Sequence, residues 1–330
     1  MTFPAPQFIE TNGIRMAVYE AAPEVVSKPY PIILLHGFPE MAFSWRYQLQ
    51  ALSKAGWRVL APDQRGYGLT DCPPDVADYS ARILAKDLEG LLDAFDIEKA
   101  IFVGHDWGAL LLWTLPFYMP DRVVGLAGLS VPYRGRGPAD VVSMVRHAFG
   151  DDHYISYFQN EGVAEALFEK DVARTFRFFM RQKADGPKRV KPEGDGIGWT
   201  AEQGALQQGF MNDENLWGGR VLLNDDDLNV FVEAFKRTGF RGGINWYRNF
   251  AENWRDIGQY DTENINLPTL MLMATDDPIL PPSLAKGMDK VCHDLELHEI
   301  KGAGHWLQQE KHEEVNRLLL DWLDRRFGAE

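Results

Sequence analysis

The stretch Val103-Gly104-His105-Asp106-Trp107-Gly108-Ala109 decides how this chain is read. It follows a short apolar run at 100–103 and precedes a longer one at 110–118. That order predicts a strand, a very tight turn and a helix. Small residues lie on both sides of Asp106, at Gly104, Gly108 and Ala109. A backbone that doubles back so sharply needs these gaps, because side chains there would collide. The spacing is that of a nucleophile elbow, with Asp where the familiar form carries Ser. The carboxylate would stand exposed at the top of a sheet, and the backbone N–H of Trp107 would point at whatever it attacks. Taken alone, Asp106 reads equally well as a helix N-cap, where the dipole favours an anion. Its partners must decide.

The composition bounds what those partners can be. The chain has 330 residues, 45% hydrophobic and 25% charged, which is ordinary for a globular protein. The length suits a large α/β core carrying an insertion. A net charge of −14 argues against nucleic acid or an anionic membrane as the main partner. Two cysteines, Cys72 and Cys292, are too few for a disulfide framework and point to a reducing compartment. Residues 1–10 show neither a basic segment nor a long apolar core of the kind that directs secretion. The longest apolar run, 109–120, is too short and too interrupted to span a bilayer. The expectation is a cytoplasmic protein with no membrane span, monomeric or homodimeric.

Taken in order, residues 8–17 carry Thr11-Asn12-Gly13 between alternating apolar residues and predict a hairpin with an Asn-Gly turn. Residues 30–35 are continuously apolar, hence a fully buried strand, and run into His36-Gly37-Phe38-Pro39-Glu40. Residues 44–55 read as an amphipathic helix. Residues 57–61 read as a strand ending at Pro62-Asp63-Gln64-Arg65-Gly66-Tyr67-Gly68. Residues 81–95 are helical, with Ile83, Leu84, Leu88, Leu91, Leu92 and Phe95 on one face. The elbow follows, then a strand at 123–129. Strands alternating with helices predict a mostly parallel central sheet covered by helices on both faces. From 134 to 254 no buried strand is expected. Aromatic residues recur there at helical spacing, and residues 184–198 read as a mobile Gly- and Lys-rich loop. The strand rhythm resumes at 267–275 and 295–300 and closes with a helix over 310–327. The division expected is a core of 1–134 and 255–330 with a helical cap at 135–254.

Ligands of such sheets lie beyond the carboxyl ends of the strands, and four motifs fall there. The first is the elbow. The second is His36-Gly37-Phe38-Pro39, where the Pro is placed for a cis bond. The Phe38 N–H, with that of Trp107, would form a two-donor oxyanion hole. The third is Asp276-Asp277-Pro278, and the fourth is Gly302-Ala303-Gly304-His305-Trp306. Nucleophile, acid and base thus occur in the chain order of α/β-hydrolases. His305, between small residues after a strand, suits a catalytic base better than a core position. Either Asp276 or Asp277 would orient it. His36 and His105 flank the site and read as structural support. His147, His153, His293, His298 and His312 read as surface or local contacts. Asp63 and Arg65 read as an ion pair bracing the loop beneath the site, or as solvated charges. No Gly-x-Ser-x-Gly occurs, neither Cys sits in an elbow, and no spaced His/Cys cluster suggests a metal.

An Asp nucleophile is already ionised at neutral pH, with a reference pKa of about 3.9. It can attack an sp³ carbon bearing a leaving group and form an alkyl ester. His305 would then deprotonate the water that attacks the ester carbonyl. Ring opening of an epoxide leaves an alkoxide that needs proton donors, such as two tyrosine hydroxyls facing Asp106. Halide departure needs only N–H donors. A dehalogenase on the same scaffold therefore competes, and so, less well, does a non-enzymatic binding module.

Several stretches together resemble an epoxide hydrolase of the α/β-hydrolase family, similar to the hydrolase domain of soluble epoxide hydrolases. They are His36-Gly37-Phe38-Pro39-Glu40, Gly104-His105-Asp106-Trp107-Gly108, Tyr154-Ile155-Ser156-Tyr157-Phe158-Gln159, Gly239-Phe240-Arg241-Gly242 with Asn245-Trp246-Tyr247-Arg248-Asn249, and Gly304-His305-Trp306. The resemblance spans nearly the whole chain. It implies the α/β-hydrolase fold with an inserted helical cap. It implies that Tyr154 and Tyr247 are the cap tyrosines, with Tyr157 the fallback for the first, and that Asp277 matches the acid better than Asp276. The implied reaction needs no cofactor. Its partners are a small apolar epoxide and water, with Trp107, Phe38 and Pro39 against the substrate. Residues 184–204 match nothing in the family pattern.

Overall fold

In the computed structural model, which describes residues 3–182 and 206–328, the core strands sort their side chains by strict alternation. The strands are β1 (Pro6–Thr11), β2 (Ile14–Ala21), β3 (Ile32–Leu35), β4 (Val59–Pro62), β5 (Ala100–His105) and β6 (Val123–Leu129). After them come a two-residue pair, β7 (Arg181–Gln182) and β8 (Arg220–Val221), then β9 (Thr269–Ala274) and β10 (Leu295–Ile300). Ile33 and Leu35 of β3 and Phe102 of β5 enter one apolar cluster. Ile32 and Leu34, with Ile101 and Val103, enter another. A strand buried on both faces does this because successive side chains point to opposite sides.

Eight strands form one sheet in the order β1-β2-β4-β3-β5-β6-β9-β10. β2 is antiparallel to both neighbours and the pairs from β4 to β10 are parallel. Asn12 and Gly13 turn the first hairpin with φ of 44° and 78°, as a two-residue turn of that hand requires. One face of the sheet is covered by the helices Arg46–Lys54 and His312–Phe327, through Leu49, Leu52, Val315, Leu319 and Trp322. The other is covered by Ala81–Ala94 and Trp107–Leu112, through Leu84, Leu88, Leu91, Leu111 and Leu112. Burying each of these side chains contributes about 1.5–3 kcal/mol. The register brings Leu35 beside Gly104, His105 beside Leu129 and Ala274 beside Ile300. The carboxyl ends of five strands therefore open onto one rim.

Between β6 and β9 the regular elements of the described chain are nearly all helices, including Val141–Phe149, Tyr154–Tyr157, Val172–Phe179, Asp225–Thr238 and Arg241–Arg248. Four of these helices are capped by side chains, with Asp140, Asp171 and Asn224 each accepting a first-turn N–H at 2.8–2.9 Å and His153 accepting one at 3.2 Å. The β7–β8 pair is the small exception to an all-helical insertion, and it is only half buried at most. The loop expected at 184–198 lies outside the described residues. Among the described residues no helix is long and apolar enough to cross a membrane.

Three helix boundaries differ from the periodicity. The helix expected over 44–55 starts as a 3₁₀ turn, Ala42–Trp45, before Arg46–Lys54. The apolar run after the elbow is two helices, Trp107–Leu112 and Leu115–Tyr118. Pro116 has no N–H to continue the ladder, and the Thr114 hydroxyl donates to the Leu111 carbonyl at 2.7 Å. The last helix begins at His312, behind a separate turn, Leu307–Glu310.

Candidate active site

Asp106 follows β5 directly and sits at φ 51°, ψ −117°, a left-handed backbone rare for a residue with a side chain. The turn is held by close packing. A methyl group on Gly108 would fall 2.0 Å from the Leu35 carbonyl oxygen, so the helix after the elbow can lie against β3 only with Gly there. Asp106 makes no side-chain capping bond to the helix it opens. Its Oδ1 instead accepts the Phe38 N–H at 2.8 Å, and the Trp107 N–H also donates to the carboxylate. Phe38 precedes a cis bond to Pro39, which is itself buried in that turn. Oδ2 lies 3.7 Å from Nε2 of His305. The Phe38 amide thus holds one oxygen while the other faces an imidazole, and the Trp107 amide stabilises the charge of the same carboxylate.

His305 stands on the loop after β10. Its Nδ1–H donates to Oδ2 of Asp277 at 2.7 Å. Asp277 is fixed in turn by the Ile279 and Leu280 N–H groups, both 2.9 Å from Oδ1. Asp276 points elsewhere, accepting from the Thr275 hydroxyl at 3.2 Å. Burial raises the Asp277 pKa, but the imidazole and the amides outweigh it and hold the carboxyl below its ordinary value. For His305, burial works against the charged ring, while Asp277, then Asp106 and Glu40, lift it to about 9. Burial raises the Asp106 pKa, opposed by His305, His105 and the two amides.

The two cap tyrosines come from segments far apart in sequence. Tyr154 opens the helix Tyr154–Tyr157 and Tyr247 lies in Arg241–Arg248. Their rings meet at 6.0 Å and 79°. Gln159 ties the two segments together by donating to the Ile155 carbonyl at 2.8 Å and the Tyr247 carbonyl at 3.2 Å. The helix carrying Tyr247 rests on the core loop through Gly242, where a methyl group would fall 2.5 Å from the Gly66 carbonyl oxygen. Burial raises both phenol pKa values, and the Asp106 charge raises them further. A hydrogen bond from the Trp107 side chain works the other way on Tyr247. Tyr157 responds to Glu165 and not to Asp106. The rings of Phe38 and Trp107 pack edge-on against Tyr247 at 5.4 and 4.9 Å, which makes the wall over the carboxylate aromatic.

Beneath the rim, His36 and His105 are buried supports. His36 donates from Nδ1 to the Gly37 carbonyl at 2.9 Å and accepts the Gln64 N–H on Nε2 at 3.1 Å. Burial lowers it to about 4, so it is neutral. His105 donates to Glu40 Oε2 at 2.7 Å and to the His305 carbonyl at 2.9 Å. Glu40 had no role in the sequence reading. Burial opposes its charge, yet His105, Ser44 and His36 hold it at about 2. A glutamate directly after a buried strand and a tight turn was the available signal.

One expectation is corrected and another is narrowed. Asp63 and Arg65 are both buried but do not pair. Asp63 is occupied by the Ala42 and Leu69 N–H groups and the Tyr19 hydroxyl. Arg65 turns its planar fork to Asp87, at 2.6 and 2.7 Å, the bidentate match a carboxylate offers. His153, expected on the surface or in local contacts, takes the second alternative. It is 2% exposed, stacks between Phe149 and Tyr154, and accepts the Ile155 N–H at 3.2 Å, capping the helix that carries Tyr154. Its neighbours lie within four residues of it in sequence, and what the sequence does not show is the burial of this short segment.

Comparison with known proteins places this geometry. A family model described as the alpha/beta hydrolase fold matches residues 30–312. The chain is 39% identical over 327 residues to epoxide hydrolase A of Mycobacterium tuberculosis, covering 98% of each. It is 37% identical over 296 residues to bifunctional epoxide hydrolase 2 of Sus scrofa, where it spans 89% of this chain but only 51% of that protein. The crystal structure of epoxide hydrolase A from Mycobacterium thermoresistibile superposes with a TM-score of 0.85 at 37% identity, over 99% of this chain and 100% of the other. The chain belongs to the α/β-hydrolase family and, within it, to the epoxide hydrolases.

Proposed function

We propose that this chain hydrolyses small apolar epoxides to vicinal diols through a covalent ester on Asp106, with no cofactor. The observation that carries the reading is a carboxylate at the elbow facing two cap tyrosines that both feel its charge. Asp106 Oδ2 attacks one ring carbon. The carbon–oxygen bond breaks, and the epoxide oxygen takes its proton from Tyr154 or Tyr247. Raised phenol pKa values keep that proton in place at neutral pH. Phenols at the edge of a dry, aromatic wall are well placed for this work.

The second step uses the other half of the site. His305 takes a proton from water as the water oxygen bonds to the Asp106 carboxyl carbon. The charge that forms on Oδ1 meets the Phe38 and Trp107 N–H groups. Collapse breaks the ester, and the departing oxygen takes the proton from His305. The second proton of the water, released as the new carboxyl ionises, restores the tyrosine. Esterification also removes one of the negative charges that lift His305, so the ring becomes a freer base when water must be deprotonated.

In this reading residues 1–134 and 255–330 form the catalytic core and 135–254 the cap. Phe38, Pro39 and Trp107 line the substrate side, and the aromatic wall favours an apolar substrate. A cytoplasmic site of action fits the two unpaired cysteines. Incubation with styrene oxide should release the diol, and Asp106→Ala should abolish it. His305→Gln should accumulate the ester, visible as a mass increment on the intact protein. An inactive wild type together with an unmodified His305→Gln protein would sink the two-step scheme.

A further inference from the structure

The loop that carries His305 is gripped by a carboxylate that the reaction above does not use. Glu310 lies five residues on, at the end of the turn Leu307–Glu310. Its Oε2 accepts the Gly304 N–H at 2.9 Å and its Oε1 accepts the Trp306 N–H at 3.2 Å. These are the two amides on either side of His305. A methyl group on Gly304 would fall 2.8 Å from Oε1, so the carboxylate approaches this closely only because residue 304 has no side chain.

The same loop is tied on two further sides. The His305 carbonyl accepts from His105 Nε2 at 2.9 Å and from the Ser130 hydroxyl at 3.1 Å. The Trp306 indole N–H donates to the Phe179 carbonyl of the cap at 2.8 Å. The Gln182 side chain, on the cap strand β7, hydrogen-bonds Glu310 itself. Carbonyl, flanking amides and the next side chain of the base are therefore all held, and two of the ties come from the cap.

We propose that Glu310 is a positioning residue for the catalytic base. By holding both amides that flank His305, it keeps Nε2 aimed at the Asp106 ester and presents a fixed negative charge to the ring. The role concerns the hydrolytic half of the reaction and rests on the two-step reading above. Alkylation needs only Asp106 and the tyrosines and is insensitive to this grip. Burial of Glu310 raises its pKa, opposed by the two amides, Gln182 and His305. The other charged groups facing His305 are Asp277, Asp106 and Glu40, with His105 on its carbonyl.

Glu310→Gln keeps the shape but can accept only one of the two amides, and Glu310→Ala removes both. Two measurements test the assignment. In single turnovers with styrene oxide, ester formation on Asp106 should stay within about threefold of wild type. Ester decay should slow about tenfold to a hundredfold in Glu310→Ala, as misplacement of a reacting group does, and less in Glu310→Gln. In the ligand-free protein, the NMR titration midpoint of His305 should fall by about half a pH unit or more in Glu310→Gln, because a charge that favours the protonated ring is gone. Equal slowing of both steps, or an unchanged His305 titration in a folded Glu310→Gln protein, would overturn the proposal. The titration involves no epoxide, so it judges Glu310 whatever the wild-type chase shows about the reaction.

Discussion

Asp106 and His305 form a pair in which each holds the other's charge, and their coupling can be measured directly. The imidazole is lifted to about 9 from an ordinary 6.5 by the Asp277, Asp106 and Glu40 carboxylates acting across buried space. Asp277 is the strongest of them. Asp106→Asn, which imitates the loss of charge on esterification, should therefore lower the His305 midpoint, and Asp277→Asn should lower it further. Ring ¹³C or ¹⁵N resonances followed across pH would show this, and an unchanged midpoint in Asp106→Asn would contradict it. The sign for stability follows from the same shift. Because the folded pKa lies above the unfolded one, the pair contributes stability that is complete below about pH 6.5 and is lost as pH rises through about 9.

Among the elements, the helix Ala81–Ala94 and the loop after β4 are locked by Arg65 and Asp87. Both side chains are almost fully buried, at 4% and 2% exposure. Asn12 joins them, its carbonyl accepting from Arg65 at 3.0 Å and its amide donating to Asp87 at 2.8 Å. Removing one partner leaves the other's charge buried and unpaired. Asp87→Ala should cost about 3–5 kcal/mol in urea unfolding. Replacing both residues by apolar ones of similar volume should cost much less, since no stranded charge remains. This loop also seats the cap helix that bears Tyr247, with the Trp246 indole donating to the Arg65 carbonyl at 3.2 Å.

Across the whole molecule, the helical insertion and the sheet meet through a polar path that ends at His105, beneath His305. Asp227, in the first turn of the cap helix Asp225–Thr238, pairs with Arg46 of the core at 3.0 Å. Arg46 also donates to Gln309 at 2.8 Å, Gln309 to Glu40 at 3.2 Å, and Glu40 accepts from His105 at 2.7 Å. Asp227 keeps some solvent contact, so Asp227→Ala should cost only about 1–2 kcal/mol of stability. A looser cap should raise KM for styrene oxide several-fold, on the order of threefold to tenfold, with kcat changed less. A fall in kcat with constant KM would argue that the contact serves chemistry rather than closure.

Local sequence was enough for the parts of this protein that depend on short-range chemistry. Buried strands announce themselves as apolar runs, and the elbow as small residues around Asp106. His305, directly after the small residues Gly302-Ala303-Gly304, stood out for the same reason, since tight turns and strand ends impose their demands within a few residues. What local sequence could not supply were the pairings between distant segments. The residues alone do not separate Asp277 from Asp276 or Tyr154 from Tyr157, and what sets Asp277 apart is its hydrogen bond to His305, made across 28 residues. Arg65 with Asp87, Glu40 with His105, and Arg46 with Asp227 join residues far apart in sequence, whose fit depends on how sheet, loops and helices pack. A charged side chain in a sequence looks solvated until the fold removes its water. Its partner is then the group that comes within hydrogen-bonding distance, and that is decided by tertiary structure alone.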